Sequence, residues 1–339
     1  MNTDTTFEIT QMSVSLEETL RNSIPHMEIP TLTNYRRMLA YHLGWEGEGA
    51  GPEASGKRIR PLLTLLTCAA ARGDWRKALP AAASVELIHN FSLIHDDIQD
   101  RSPLRRGRKT VWNIWGVAQA INAGDAMFTL AHLTLLQLKN TCSPEVVLEA
   151  SAILQQACLE LTQGQFLDLA FESSQAVTLE DYWRMVSGKT AALLAAATEL
   201  GAVVAGVDSI SREAYRLFGH ALGLAFQAQD DILGIWGDAA LTGKSAESDL
   251  LSGKKSLPVI YALSQDGAFA KRWRQGKIQP EEVCNLSAQL EREGARAFTE
   301  EQARFKTEQA LQALQQAGPR EDYEEILRSL ALRLLRRNG

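Results

Sequence analysis

The chain of 339 residues has few cysteines, no excess of basic residues and almost no alternating β-branched runs. Its four cysteines lie far apart without CxxC spacing, which argues against a zinc site or a disulfide framework and favours reduced thiols. The formal net charge of -6 argues against a general nucleic-acid binder. The opening segment MNTDTTFEIT has neither the basic nor the apolar region of a secretion signal, so we expect a cytoplasmic protein.

The longest apolar stretch, roughly residues 190–207, is rich in alanine and interrupted by Glu199. These features indicate a buried helix rather than a membrane span, and we expect no transmembrane segment.

Helical periodicity dominates the rest of the chain, in which 45% of residues are hydrophobic and 22% are charged. Helices are predicted over about 13–22, 32–44, 58–72, 76–101, 111–139, 144–170, 179–186, 189–205, 211–235, 255–264, 280–316 and 320–336. None of the intervening Gly/Pro segments is long enough for an interdomain linker. The sequence therefore predicts one all-α domain over residues 1–339.

Three carboxylates crowd the end of a predicted helix in the segment SLIHDDIQDRSPLRRGRKT, residues 92–110. An α-helix turns about 100° and rises ~1.5 Å per residue, so Asp96 and Asp100 share one face. Asp97 lies next to them, and the apolar residues around it would remove water from the charges. Something must offset the repulsion and the lost hydration.

A second acidic element, FQAQDDILGIWGD, places Gln227, Asp230 and Asp231 on one helix face. Two such elements with oxygen-only ligands favour a shared magnesium site, because magnesium commonly completes its octahedron with substrate phosphates. Cations that suit a phosphate-rich ligand lie near both elements: Arg105, Arg106, Lys189, Lys244 and Lys254. The alternative is that each acidic group is simply an exposed helix end.

The segment SGKRIRP, residues 55–61, puts three cations before an apolar helix. Basic residues suit helix C-termini better than N-termini, so this arrangement calls for an anion unless it is a solvated helix start.

With these motifs the chain resembles the trans-isoprenyl diphosphate synthases, also called polyprenyl synthetases, and in particular the bacterial enzymes that make farnesyl or geranylgeranyl diphosphate. The resemblance is strongest over residues 45–265. Six motifs in the family's order carry it: GKRIRP, ELIHNFSLIHDDIQDRSPLRRGRKT, INAGDAMF, SGKTAAL, FQAQDDILGIWGD and GKSAESDLLSGKKSLPVI.

The resemblance implies a bundle of antiparallel helices around a central cavity, commonly as a homodimer. It implies magnesium, three ions per active site with substrate bound, held by Asp96, Asp97, Asp100 and Asp230. It implies catalytic roles for these residues, for Lys189 and for Asp231 in support. An allylic diphosphate would contact Arg105, Lys189, Thr190, Gln227, Lys244 and Lys254. Isopentenyl diphosphate would contact Gly56, Lys57, Arg60, His89 and Arg106.

The implied reaction is head-to-tail condensation of these two diphosphates. Phe91, five residues before Asp96, would limit the product unless it is ordinary core packing, and the small Ser92 would leave room for the tail. We expect C20 geranylgeranyl diphosphate, or C15 as the next candidate. Gly234 stands where the family often has a third aspartate. Two alternatives remain open here: a terpene cyclase or lyase on the same fold, and a non-catalytic partner subunit of another synthase.

Overall fold

The computed structural model describes residues 3–25, 29–174, 176–237 and 248–335. Lys244, predicted to contact diphosphate, lies outside the described residues. The chain divides into two compact units, each assembled from separate segments of the sequence. Unit 1 is built from Met1–Gln155, Ala196–Glu213 and Gly318–Leu327, and unit 2 from Gln156–Ala195, Ala214–Ala317 and Arg328–Gly339. The expectation of one domain stays a prediction.

The described residues form α-helices with one short strand pair. The helices are α1 (Thr3–Ser23), α2 (Thr33–His42), α3 (Pro52–Ser55), α4 (Ile59–Ala70), α5 (Leu79–Gln99), α6 (Val111–Trp115), α7 (Val117–Leu135), α8 (Pro144–Ser173), α9 (Leu179–Val186), α10 (Ala192–Ala205), α11 (Ser209–Trp236), α12 (Ser248–Ser252), α13 (Leu257–Ser264), α14 (Ala268–Trp273), α15 (Val283–Arg292), α16 (Ala295–Gln316) and α17 (Glu321–Leu335). The strands are β1 (Leu104–Arg105) and β2 (Arg108–Lys109). The all-α class predicted from the sequence is confirmed.

Unit 1 is organised around α5, which packs along α7 and against α1 and α4. The first four turns of α5 are rich in alanine and almost completely buried. Small side chains let neighbouring helices approach closely, so α5 lies in the core, together with its buried polar residues Glu86 and Asn90, until its last turns.

Unit 2 has two buried apolar clusters. One joins Tyr182 and Met185 of α9 to Leu224 of α11 and Ile260 of α13. The other packs α12 to α15 around Phe269. Together they fix the residues that precede and follow the second acidic motif.

Several predicted boundaries are wrong for identifiable reasons. The helix predicted over 111–139 is broken at Gly116, whose φ of 82° is outside the helical region. The helix predicted over 280–316 is broken in the same way at Gly294, with φ 81°. The Arg-rich loop after α5 contains the antiparallel pair β1–β2, which is too short for sequence alternation to reveal.

Within the described residues, one helical stretch is long and apolar enough to cross a membrane, Leu179–Ala205. In its most apolar window 78% of the residues are buried inside the protein, as a core helix would be. The absence of a membrane span stays a prediction.

The first stability prediction concerns Glu8 of α1, which joins distant parts of unit 1. Its carboxylate accepts hydrogen bonds from the Trp75 indole at 3.0 Å and from the Tyr323 hydroxyl of α17. We expect Glu8→Ala to lower the free energy of unfolding by about 1–3 kcal/mol, because two donors lose their acceptor. Urea denaturation measures it, with exposed Glu18→Ala on the same helix as the matched control. Equal losses in both variants would contradict this role for Glu8.

Candidate active site

The first acidic group lies at the C-terminal end of α5. Asp96 is in the last turn and Asp100 caps the helix, its backbone N–H donating to the Asp96 carbonyl at 2.9 Å. His89 and Ser92 lie two turns and one turn before Asp96 on the same helix. The peptide dipole of a helix is also negative at this end, so the carboxylates receive no help from the backbone.

The strand pair after α5 supplies the compensating cation. Arg106 and Gly107 form its two-residue turn, both with positive φ (51° and 73°), as a type I′ turn requires. This turn directs Arg105 back to α5. Its Nε donates to both oxygens of Asp97 at 2.8 and 3.0 Å, and its Nη2 donates to Asp96 at 3.3 Å.

The two adjacent aspartates of this motif differ in environment. The Asp97 side chain is 3% exposed, whereas that of Asp96 is 23% exposed. Burial raises the pKa of Asp97 to about 6, although the Arg105 charge and its hydrogen bond oppose the rise. Both oxygens of Asp97 thus bind Arg105, whereas Asp96 is the carboxylate more exposed to solvent.

Arg106 turns towards the segment that precedes α4. Its Nη1 donates to the Ala54 carbonyl at 2.8 Å, and its guanidinium lies against Gly56. A Cβ at Gly56 would be 2.6 Å from the guanidinium carbon, and Gly56 has φ +76°. Glycine is thus required here both by the backbone conformation and by the approach of Arg106.

His89 is held among cations. Its Nε2 lies 3.4 Å from Arg60 Nη1. Burial, followed by the charges of Arg60, Arg106 and Arg105, holds the pKa of His89 well below its ordinary value. The imidazole is neutral at physiological pH, so the positive charge of this group comes from the arginines.

A buried ion pair holds the segment before α4 that contains Lys57 and Arg58. The sequence did not reveal this pair. Arg58 Nη1 donates to Glu86 Oε1 of α5 at 2.6 Å, with side chains 12% and 3% exposed. Arg58 also donates to the Leu43 carbonyl at 3.1 Å, and Asn90 donates to Glu86 at 2.9 Å. Since Arg58 itself has φ 47°, the pair fixes the strained residue between Lys57 and Arg60.

In unit 2, Lys189 and Thr190 lie on a single π-helical turn, Ser187–Ala191, between α9 and α10. π-turns inside helices often occur at functional sites. Gly164 of α8 faces Gly188 so closely that a Cβ at Gly164 would be 2.1 Å from the backbone nitrogen of Lys189. The contact brings the Lys189 ammonium to Asp168 of α8, with which it forms an ion pair.

Asp231 of α11 is a buried hydrogen-bond centre. Its carboxylate accepts from the Tyr182 hydroxyl at 2.6 Å, the Leu257 backbone N–H at 2.8 Å and Gln227 Nε2 at 2.9 Å. Thr190 Oγ1 in turn donates to Gln227 Oε1 at 2.9 Å. The hydrogen bonds that run from Tyr182 through Asp231 and Gln227 to Thr190 therefore hold the Gln227 amide at both its nitrogen and its oxygen.

Lys254 reaches the same group. Its Nζ lies 3.8 Å from Asp231 Oδ1 and 3.8 Å from Asp249 Oδ2. Burial lowers the pKa of Lys254, but the charges of Asp231 and Asp249 outweigh it and the pKa is raised. The structure thus brings together Lys189, Thr190, Gln227, Asp231 and Lys254, all predicted from the sequence, and Asp230 is a half-buried neighbour on α11.

The family model for polyprenyl synthetases matches residues 51–288. The chain belongs to the polyprenyl synthetase family. A (2E,6E)-farnesyl diphosphate synthase from Mycobacterium tuberculosis is 41% identical over 304 residues, covering 87% of this chain and 81% of the relative. A geranylgeranyl diphosphate synthase from the same species is 45% identical over 247 residues, covering 72% of this chain and 69% of the relative.

Solved structures give the same assignment. A geranylgeranyl pyrophosphate synthase from Corynebacterium glutamicum, complexed with isoprenyl diphosphate and magnesium, superposes with a TM-score of 0.84 at 29% identity, covering 97% of this chain and 98% of that one. The fold is that of the isoprenoid synthases, as the sequence predicted. The protein is a trans-prenyltransferase of the short-chain synthase type.

The donor set of this polyprenyl synthetase fits magnesium. Among the described residues, no three His, Cys, Asp or Glu side chains lie close enough to hold a metal ion by themselves. The accessible acidic groups at the end of α5, Asp96 and Asp100, are carboxylates, which are hard oxygen ligands. Magnesium is typically bound through one or two carboxylates with waters and substrate phosphates, and these two residues would serve as such ligands.

Sequence reasoning missed four residues that hold the predicted ones: Glu86, Asp168, Tyr182 and Asp249. Asp168 had a usable signal, since it is a lone carboxylate in the apolar segment QFLDLAF of α8. Glu86 and Tyr182 act through contacts with residues distant in sequence, and Asp249 contacts Lys254 five positions later.

A cavity of about 890 Å³ lies in unit 2 between α8 and α9. Gly164, Trp183, Ser187 and Gly188 are among its lining residues. None of the predicted substrate or metal residues lines it, although Gly164 and Gly188 also form the close contact beside Lys189.

The buried Arg58–Glu86 pair gives a second stability prediction. Glu86→Gln removes the nearer of two carboxylates beside the Arg58 guanidinium, the other being Glu17 at 3.8 Å, and we expect a loss of about 3 kcal/mol in unfolding free energy. The matched control is Glu46→Gln, which disrupts the half-exposed pair with Arg36 and should cost less than about 1 kcal/mol. Urea denaturation of both variants measures the difference. Similar small losses would show that the Glu86 charge is not needed to hold Arg58.

Proposed function

We propose that this prenyltransferase condenses isopentenyl diphosphate with an allylic diphosphate in a magnesium-dependent reaction and releases C20 geranylgeranyl diphosphate. C15 farnesyl diphosphate is the next candidate. The observation that carries the proposal is that each acidic motif is combined with cations held in place by buried partners. The farnesyl and geranylgeranyl diphosphate synthases among the relatives support the same substrate class.

The proposed roles follow from position and charge. Asp96, Asp97, Asp100 and Asp230 would hold magnesium, up to three ions with substrate bound, with Asp231 in support. Asp97 contributes mainly through Arg105, because both of its oxygens accept hydrogen bonds from that side chain. The allylic diphosphate would contact Arg105, Lys189, Thr190, Gln227, Lys244 and Lys254. Isopentenyl diphosphate would contact Gly56, Lys57, Arg60, His89 and Arg106.

Magnesium, when bound, supplies positive charge that stabilises the diphosphate leaving group. The cationic side chains would bind and orient that group, and Arg60 and Arg106 would bind the second diphosphate. The allylic C–O bond then ionises, and the double bond of isopentenyl diphosphate attacks C1. A proton is lost to the departing diphosphate. No side-chain nucleophile is required, but water must be excluded from the cation.

Phe91 is the residue that supports a short product. Its ring packs against His95 and Phe128 at centroid distances of 4.9 and 5.2 Å, and Phe128 continues to His132 at 4.6 Å. An aromatic ring wedged among others is a rigid obstacle to a growing tail. Ser92 is small, and its hydroxyl is tied to the His89 carbonyl at 2.8 Å.

We also propose a homodimer. In unit 1, Val117, Ile121 and Phe128 form an exposed apolar stripe along α7. Exposed apolar stripes of this kind mark interaction surfaces, and a second copy of the chain is the simplest cover. The cytoplasmic location stays a prediction from the sequence.

The activity prediction is tested with purified protein, magnesium, isopentenyl diphosphate and each allylic starter of C5, C10 or C15. Mass spectrometry should find a single C20 product that disappears when magnesium is chelated. Asp96→Asn should lower kcat/KM by about 100-fold or more, because charge stabilisation of the leaving group is lost. Exposed Glu18→Gln should leave it unchanged.

Two outcomes would contradict the proposal. Hydrocarbon or alcohol release without consumption of isopentenyl diphosphate would identify a cyclase or lyase. Inactivity alone, with altered products when a second synthase is added, would identify a partner subunit.

The chain-length prediction concerns Phe91→Ala. Removing the ring opens space beside the small Ser92, and we expect products of C25 or longer to replace C20 in the mass spectrum. Phe7→Ala, a truncation of an exposed aromatic side chain on α1, is the control and should leave the products unchanged. Unchanged products from Phe91→Ala would remove Phe91 as the residue that stops the tail.

A further inference from the structure

The side chain of Asp249 packs directly against Gly234 of α11. It follows Asp230 by four residues, so the two share a helix face. A Cβ at Gly234 would lie 2.4 Å from Asp249 Oδ2 and 2.7 Å from its carboxyl carbon. The Asp249 carboxylate is therefore seated directly on the bare backbone of α11, and any larger residue at 234 would displace it.

From this seat Asp249 reaches Lys254. Asp249 lies in the short helix α12, and its carbonyl accepts a hydrogen bond from the Lys254 backbone N–H at 3.0 Å. Its carboxylate is 3.8 Å from the Lys254 ammonium, the same distance as that of Asp231. Two carboxylates on separate elements thus lie close to one ammonium group.

The two carboxylates are fixed by different means. Asp231 is 1% exposed and held by donors from Tyr182, Gln227 and Leu257. Asp249 is held by its fit against Gly234. Lysine is a point charge on a flexible four-carbon stem, so a single carboxylate restricts its direction less than two carboxylates on separate elements do.

We propose that Asp249 is a positioning residue for Lys254 and that Gly234 is glycine in order to admit it. This rests on the proposed role of Lys254 as a contact of the allylic diphosphate. Asp249 keeps the ammonium aimed before substrate arrives, so that binding orders one long side chain fewer. Asp249 acts through Lys254 and is not itself a substrate contact.

Three variants test this, with KM and kcat measured separately for each substrate. We expect Asp249→Asn to raise KM for the allylic diphosphate about tenfold, with kcat changed less than twofold and KM for isopentenyl diphosphate unchanged. Gly234→Ala should do the same, since its methyl group displaces Asp249. In the Asp249→Asn background, Gly234→Ala should add little, because both changes act through one carboxylate. Equal additional losses in the two backgrounds would overturn the proposal.

A binding measurement separates positioning from activity. Calorimetric titration of the metal-free protein with inorganic pyrophosphate should show weaker binding in Asp249→Asn than in the parent. Asp266→Asn, which removes an exposed carboxylate of the same unit, should bind as the parent does. Unchanged pyrophosphate affinity in Asp249→Asn would overturn the proposal even if Gly234→Ala failed to fold.

Lys254→Ala separates the role of Lys254 from that of Asp249. If this variant leaves the allylic KM unchanged, the proposed role of Lys254 is wrong, and so is the positioning role of Asp249. If it raises the allylic KM while Asp249→Asn does not, the role of Lys254 holds and only the positioning role is overturned.

Discussion

Negative charge accumulates at the C-terminal turn of α5 from two sources, the side chains and the backbone. Three aspartates lie where the aligned peptide dipoles already contribute about half a negative charge. The arrangement is stable only with cations close by, and the β1–β2 turn delivers Arg105 to both Asp96 and Asp97. The turn requires Arg106 to adopt a left-handed backbone conformation that costs about 1–2 kcal/mol. The strain is retained because it places two guanidinium groups on the side of the carboxylates.

The second acidic motif meets the same constraint with mostly neutral donors. Asp231 is too deeply buried for water to reach, and a hydroxyl, an amide and a backbone N–H satisfy its oxygens. Lys254 supplies the one nearby positive charge among these partners. Because each donor belongs to a different element, the carboxylate also joins α9, α11 and α13. Asp231 is thus a structural centre as well as a member of the motif.

The sequence was a good guide to the long helices, and a poor guide to the contacts that hold the predicted site residues. Uninterrupted periodicity located α8 and α11, whose ends differ from the prediction by three residues or fewer. It could not reveal a two-residue strand or the π-turn that carries Lys189, since neither has a period of its own. Glu86 was missed because its partner Arg58 lies 28 residues away in the sequence. Asp249 was missed because its position depends on packing against Gly234. Such contacts exist only once the chain has folded.

The two Asp-Asp pairs show why adjacent acids are not duplicates. Neighbouring helix residues point about 100° apart, so they cannot share an environment. In each pair the second aspartate faces inward: Asp97 is 3% exposed and Asp231 is 1% exposed. The first, Asp96 or Asp230, is left on the more open side. The inward carboxylate holds a cation, Arg105, or an amide, Gln227, and under the proposed function the outward one would contribute oxygen ligands to magnesium. The doubled aspartate therefore separates two tasks that a single carboxylate could not perform at once.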